Sequence, residues 1–77
     1  MTEAVNVSEM MEKVTEDGIE YSVLTDLNGT RVYFLYGLLH RENGPAVEGF
    51  DGTREWWLNG EKLTEEEFSR KMFLSTN

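Results

Sequence analysis

The 77-residue sequence has no cysteine, one proline and one histidine, and its bases are few: seven against fifteen acids. Without cysteine there is no disulfide framework, no thiolate metal site and no thiol nucleophile. That absence fits a reducing cytoplasm, the compartment expected here. No apolar run approaches the roughly 20 residues that cross a bilayer. Met1-Thr-Glu-Ala-Val5 has neither the basic start nor the apolar centre of a signal peptide. A lone histidine offers no paired-ligand spacing for a metal and no second base. Clustered Lys and Arg, which phosphate contacts need, are also missing, so direct nucleic-acid binding is not expected. A chain this short buries only about 60% of the surface it exposes when unfolded, which predicts one small domain of modest stability.

What charge there is falls unevenly. The formal net charge is −8, and residues 1–26 carry seven acids against Lys13 alone. Residues 27–63 carry five acids and four bases, and residues 64–77 carry three and two. The leading segment, with Glu9, Glu12, Glu16 and Asp17, therefore reads as an acidic arm. Such a run is a solvated face or a surface for a basic partner.

The most informative stretch, residues 28–63, is one pattern written twice. In a register of 23 residues Asn28-Gly-Thr-Arg31 meets Asp51-Gly-Thr-Arg54, Leu35 meets Leu58, Gly37 meets Gly60, and Tyr33-Phe34 meets Trp56-Trp57. Each copy reads as a tight turn, a short aromatic strand and a second tight turn. Ile19–Thr25, Thr30–Tyr36, Leu38–His40, Ala46–Phe50, Thr53–Leu58 and Glu61–Leu63 read as strands, punctuated by Asn28-Gly29, Asp51-Gly52 and Asn59-Gly60. Ahead of them Val7, Met10, Met11 and Val14 fall on one helical face, with Gly18 as a stop. Behind them Thr64-Glu-Glu-Glu67 is a capping box, with Leu63 and Phe68 spaced as a hydrophobic staple.

The expected fold is therefore α+β: a small antiparallel β-meander of five to six strands with a short N-terminal helix and a capped C-terminal helix. The single domain divides into an acidic helical segment (1–18), a β-hairpin repeat core (19–63) and a C-terminal helix (64–77). Strand alternation separates Tyr33, Leu35, Trp56 and Leu58 from Phe34, Tyr36 and Trp57. The first set is assigned to the covered face because both copies keep leucine there. Phe34, Tyr36 and Trp57 become the partner-binding candidates, since aromatic residues are enriched at interface hot spots.

Gly37-Leu-Leu-His-Arg-Glu-Asn-Gly-Pro-Ala46, Asp51-Gly-Thr-Arg-Glu-Trp-Trp-Leu-Asn-Gly60 and Leu63-Thr-Glu-Glu-Glu-Phe68 stand in order. Together they resemble the small repeat proteins of tailed phages and some bacteria whose units read W-x-N-G-x-x-H-R-x-x-G-P-A, a divergent MORN-like repeat. The resemblance covers residues 28–68. It departs at Tyr36, where asparagine is expected, and in the second copy, where Lys62-Leu63 replaces His-Arg. It implies a β-hairpin repeat module of phage or bacterial origin, with no catalytic residue to carry over.

Residues and resemblance together lead to a non-enzymatic protein-interaction module, with no metal or other cofactor and no membrane partner. The setting expected is a phage-encoded modulator or inhibitor of a host protein in the host cytoplasm. The alternatives are an acidic nucleic-acid-mimic decoy and a structural homodimeric small protein. His40 and Arg41 are expected to act structurally, bonding the carbonyls of the loop that follows them.

Overall fold

The computed structural model describes residues 10–74. Among them are seven strands, β1 (Met11–Glu16), β2 (Ile19–Thr25), β3 (Arg31–Leu35), β4 (Leu38–Leu39), β5 (Val47–Glu48), β6 (Arg54–Leu58) and β7 (Glu61–Leu63), and one helix, α1 (Glu65–Leu74). All pairings are antiparallel. The strand order is β1-β2-β3-β5-β6-β7, with β4 also paired to β3.

Among the described residues the expected N-terminal helix gives way to a strand from Met11 onward: Met11 and Val14 lie in β1, which pairs with β2 from Met11↔Leu24 to Glu16↔Ile19. Val7 lies outside the described residues. The reason is an ambiguity at Asp17-Gly18, where φ is 52° and 83°. Left-handed backbone at a glycine ends a helix, but two such residues in succession make the tight turn of a hairpin. A helix of 8–10 residues has a costly nucleus and little to bury. The hairpin sets Val14 opposite Tyr21 and packs it against the core.

Two other hairpins carry the same signature: Tyr36-Gly37 at φ 53° and 81°, and Asn59-Gly60 at φ 53° and 81°. Three residues beyond each turn glycine stand Tyr21, His40 and Leu63, all buried (0, 5 and 8% exposed). The chain is thus three structural units, where only two are legible in the sequence. At the other end of the sheet the two loops are alike as well. Asp26 N–H donates to Thr30 O and Gly49 N–H to Thr53 O, while Gly29 and Gly52 N–H donate to Asp26 O and Gly49 O. These are longer loops than the two-residue turns expected at Asn28-Gly29 and Asp51-Gly52. Of each pair only the glycine has positive φ.

Strands β4 and β5 are one strand interrupted. Tyr33 accepts from His40 N–H (3.2 Å) and donates to Ala46 O (2.7 Å), so both residues sit opposite Tyr33 and Arg41–Pro45 are looped out between them. The looped-out residues fold over the face that carries Tyr21, Val23 and Tyr33, the buried core together with Ala46. Tyr21 meets Tyr33 edge-on at 5.8 Å and stacks with His40 at 6.4 Å. This excursion takes the place over β2 and β3 that helices were expected to fill. Helix α1 packs chiefly on β6 and β7.

The start of α1 follows its capping box. Glu67 N–H donates to Thr64 Oγ1 (3.0 Å) and Thr64 N–H to Glu67 Oε1 (2.9 Å). Leu63 and Phe68 are both buried beside it, as a staple requires. Thr64→Ala is expected to cost about 0.5–2 kcal/mol, several degrees of melting temperature in a domain this small. A thermal melt checks it. The Thr64 amide holds the Glu67 carboxyl below its ordinary value. A carboxyl depressed in the folded state stabilises above its unfolded pKa and ceases to do so as pH falls through the folded one. Acidification should therefore loosen the first turn, seen as a shift of the Thr64 amide resonance that follows Glu67 titration.

Candidate interaction surface

One side of the sheet is closed by an ion-pair network centred on Arg41. Its guanidinium lies 3.9 Å from the centre of the Tyr33 ring. It bonds Glu16 through Nε (3.0 Å) and Nη2 (2.7 Å), and through Nη1 it reaches Pro45 O (3.1 Å) and Glu48 (3.2 Å). Burial alone would lower the Arg41 pKa, but Glu16, Tyr33 and Glu48 together outweigh it and hold the group above its ordinary value. The excursion is pinned by its own first residue.

His40 does similar work one residue earlier. Asn59 N–H donates to His40 Nδ1 (2.8 Å), so the ring proton is on Nε2, which donates to Glu42 (3.0 Å). Glu42 N–H in turn donates to the Tyr21 hydroxyl (3.0 Å), whose pKa burial pushes up. His40 therefore ties the second unit to the turn of the third. The loop-carbonyl bond expected of the pair belongs to Arg41, and His40 accepts from a turn amide instead.

Between this turn and α1 lies an open cleft of about 430 Å³, bordered by His40, Glu42, Leu58, Glu61 and Met72. The volume falls within the roughly 300–1,000 Å³ of small-molecule sites, larger than expected of so small a sheet. Its one imidazole has both nitrogens engaged.

Register and alternation define the other side. Met11↔Leu24, Leu24↔Val32 and Val32↔Val47 make an apolar row across four strands. Phe34, paired with Leu39, lies beside it, and Trp57 follows on β6. None of these side chains is fully buried, and no described element packs over them. Four charged residues share this face: Lys13, Glu20, Glu55 and Lys62. They balance, although the chain carries −8.

The partner-binding candidates thus occupy different settings. Phe34 is half-buried on the open face. Trp57 is on that face too, but it also packs against the core cluster, and its indole N–H donates to Glu55 (2.9 Å). Tyr36 is 95% exposed in its turn. Of the acidic arm, Glu12 and Asp17 are exposed, Glu16 is drawn in to Arg41, and Glu9 lies outside the described residues. What sequence reasoning missed are the loop tips Leu27 and Phe50 (81 and 67% exposed), equivalent positions of the two alike loops. Phe50 N–H donates to Thr30 Oγ1 (3.2 Å), which sets the loops side by side. The 23-residue register aligns Leu27 with Phe50, and that was the available signal.

Tyr36 is also strained. A bulky residue at φ 53° is an outlier, and its equivalents in the other two hairpins are Asp17 and Asn59, which tolerate that backbone. Tyr36→Asn is therefore expected to stabilise the domain by about 1 kcal/mol, read as a rise in the urea midpoint at unchanged slope.

Comparison with family models, with curated proteins and with solved structures finds no match to this chain. The functional reading rests on the geometry and on the motif resemblance.

Proposed function

We propose that this chain is a non-enzymatic protein-interaction module that engages its partner through the open sheet face and the adjoining Tyr36 turn. The observation that carries the reading is the charge-balanced apolar face, centred on Val32 and Phe34, of a protein whose net charge is −8. Tyr36 supports it: an exposed aromatic in a strained turn contributes nothing visible to folding, and strain of that kind clusters at functional positions. The engaged ring of His40 speaks against general acid–base work at the cleft. A phage-encoded modulator or inhibitor of a host protein is the setting that the motif resemblance suggests. The acidic-decoy alternative is left with Glu12 and Asp17 among the described arm residues, since Glu16 is held internally.

The test is affinity capture from bacterial lysate followed by titration of the captured partner with variants. Phe34→Ala and Tyr36→Ala should each weaken binding by about 2 kcal/mol or more, roughly thirtyfold in Kd, with the fold retained. Trp57→Ala is a poorer probe, because its core contact predicts a loss of stability as well. Unchanged affinity in both folded variants would remove the open face from the reading.

A further inference from the structure

Among the described residues His40 is the one polar or charged residue that is buried, at 5% exposure. Both of its ring nitrogens are committed. Nδ1 accepts the Asn59 N–H at 2.8 Å, and the hydrogen on Nε2 goes to Glu42 at 3.0 Å. A neutral imidazole can make both bonds. An imidazolium cannot, because it is a donor at both nitrogens. We infer that this pair of bonds is a pH latch: protonation of His40 breaks its bond to Asn59 and frees the tip of the Asn59-Gly60 turn from the second unit, while the contact with Glu42 becomes an ion pair. The latch is independent of the interaction reading above.

The incoming proton has one place to go. Nε2 already carries a hydrogen, so the new one enters at Nδ1, where it meets the Asn59 N–H and displaces it. The groups around the ring accommodate the charge. Glu42 faces it directly, and Glu61 borders the same cleft. Tyr21 on β2 stacks on the ring at 6.4 Å, with Glu16 and Arg41 in electrostatic reach of its hydroxyl. The opposing cations are Lys71, on the α1 side of the cleft, and Arg41, which is already paired with Glu16 and Glu48. The charge is thus matched at Nε2, and the loss falls at Nδ1. Two backbone bonds beside the ring do not involve it: Gly60 N–H donates to Leu39 O (2.8 Å) and Arg41 N–H to Trp57 O (3.2 Å). The hairpin therefore stays attached, and only its tip, at the border of the cleft, is released. Imidazoles in general charge at about pH 6.5, which sets the latch near neutrality.

Heteronuclear NMR of the full chain from about pH 8 to about pH 5, the span in which an ordinary histidine changes charge, tests the latch. The Asn59 amide resonance should move with the same midpoint as the His40 ring protons. Its protection against hydrogen exchange should fall about fivefold, the weight of one ordinary hydrogen bond, while the Gly60 amide keeps its own. Glu42→Gln keeps an acceptor for the Nε2 hydrogen but removes the counter-charge, so both midpoints should shift together to lower pH. Glu42 is 46% exposed, and its side chain can be changed without opening the core. An Asn59 amide that ignores the His40 titration overturns the inference, as does a ring that stays neutral to about pH 5. An Asn59 midpoint unmoved in Glu42→Gln overturns it too, and assigns the shift to another carboxylate such as Glu61. Loss of protection at every amide at one pH would replace the latch with global unfolding.

Discussion

Arg41→Ala is expected to remove a large share of the protein's folding stability. The guanidinium is 11% exposed and Glu16, its bidentate partner, 17%. Removing one member of a buried pair strands the other, at a cost of about 3–5 kcal/mol. A domain of this size holds roughly 4–12 kcal/mol in all, from about 0.05–0.15 kcal/mol per residue. The bond to Glu48 adds little, because that carboxylate is 40% exposed. Arg41→Lys should recover only part of the loss, since an ammonium cannot make the two-pronged bond to Glu16 or lie flat on Tyr33. Adding Glu16→Gln to Arg41→Ala should restore some stability, because the stranded charge is then gone. Urea denaturation of the four proteins checks the series. A wild-type midpoint for Arg41→Ala would mean that the excursion is not held by this network.

The second large effect is expected at Tyr33. It is 2% exposed, meets Tyr21 edge-on, lies under Arg41, and marks the register position from which the excursion leaves. Tyr33→Ala removes a core aromatic at about 3–5 kcal/mol, while Tyr33→Phe keeps the ring and should remain folded. Tyr33 and Arg41 touch, so their losses should not add. A double-mutant cycle built on Tyr33→Leu and Arg41→Met, each milder than alanine, should give a coupling energy clearly different from zero. Strict additivity would sever the stack from the stability of the excursion.

These two residues also bear on function. The excursion and α1 cover one side of the sheet, and their covering leaves the apolar row as the open side. A variant that loosens Arg41 would expose the tyrosine face as well, so binding data on it would report unfolding. Val32, Phe34 and Tyr36 avoid that confusion, because none belongs to the core cluster or the Arg41 network.

By itself the sequence determined whatever depends on neighbours in the chain. The capping box at Thr64–Glu67 and the turn at Asn59-Gly60 were readable because each is specified by a few adjacent residues and their φ requirements. The strands from Ile19 onward were readable from their two-residue period, with shifts of a residue or two at their ends. Tertiary structure decided what depended on distant partners. Residues 11–16 carry apolar spacing that suits a helix, and they became a strand because β2 was there to pair with and Tyr21 to pack on. The first of the three units stayed hidden because Gly18 precedes Gly37 by 19 residues and Gly37 precedes Gly60 by 23, the excursion falling only between the latter two. Glu16 and Arg41, 25 residues apart, look like an exposed acid and a loop base. Only when the hairpin brings β1 alongside β2, and the chain loops out over Tyr33, do they meet, and it is that meeting that closes one face and leaves the other open.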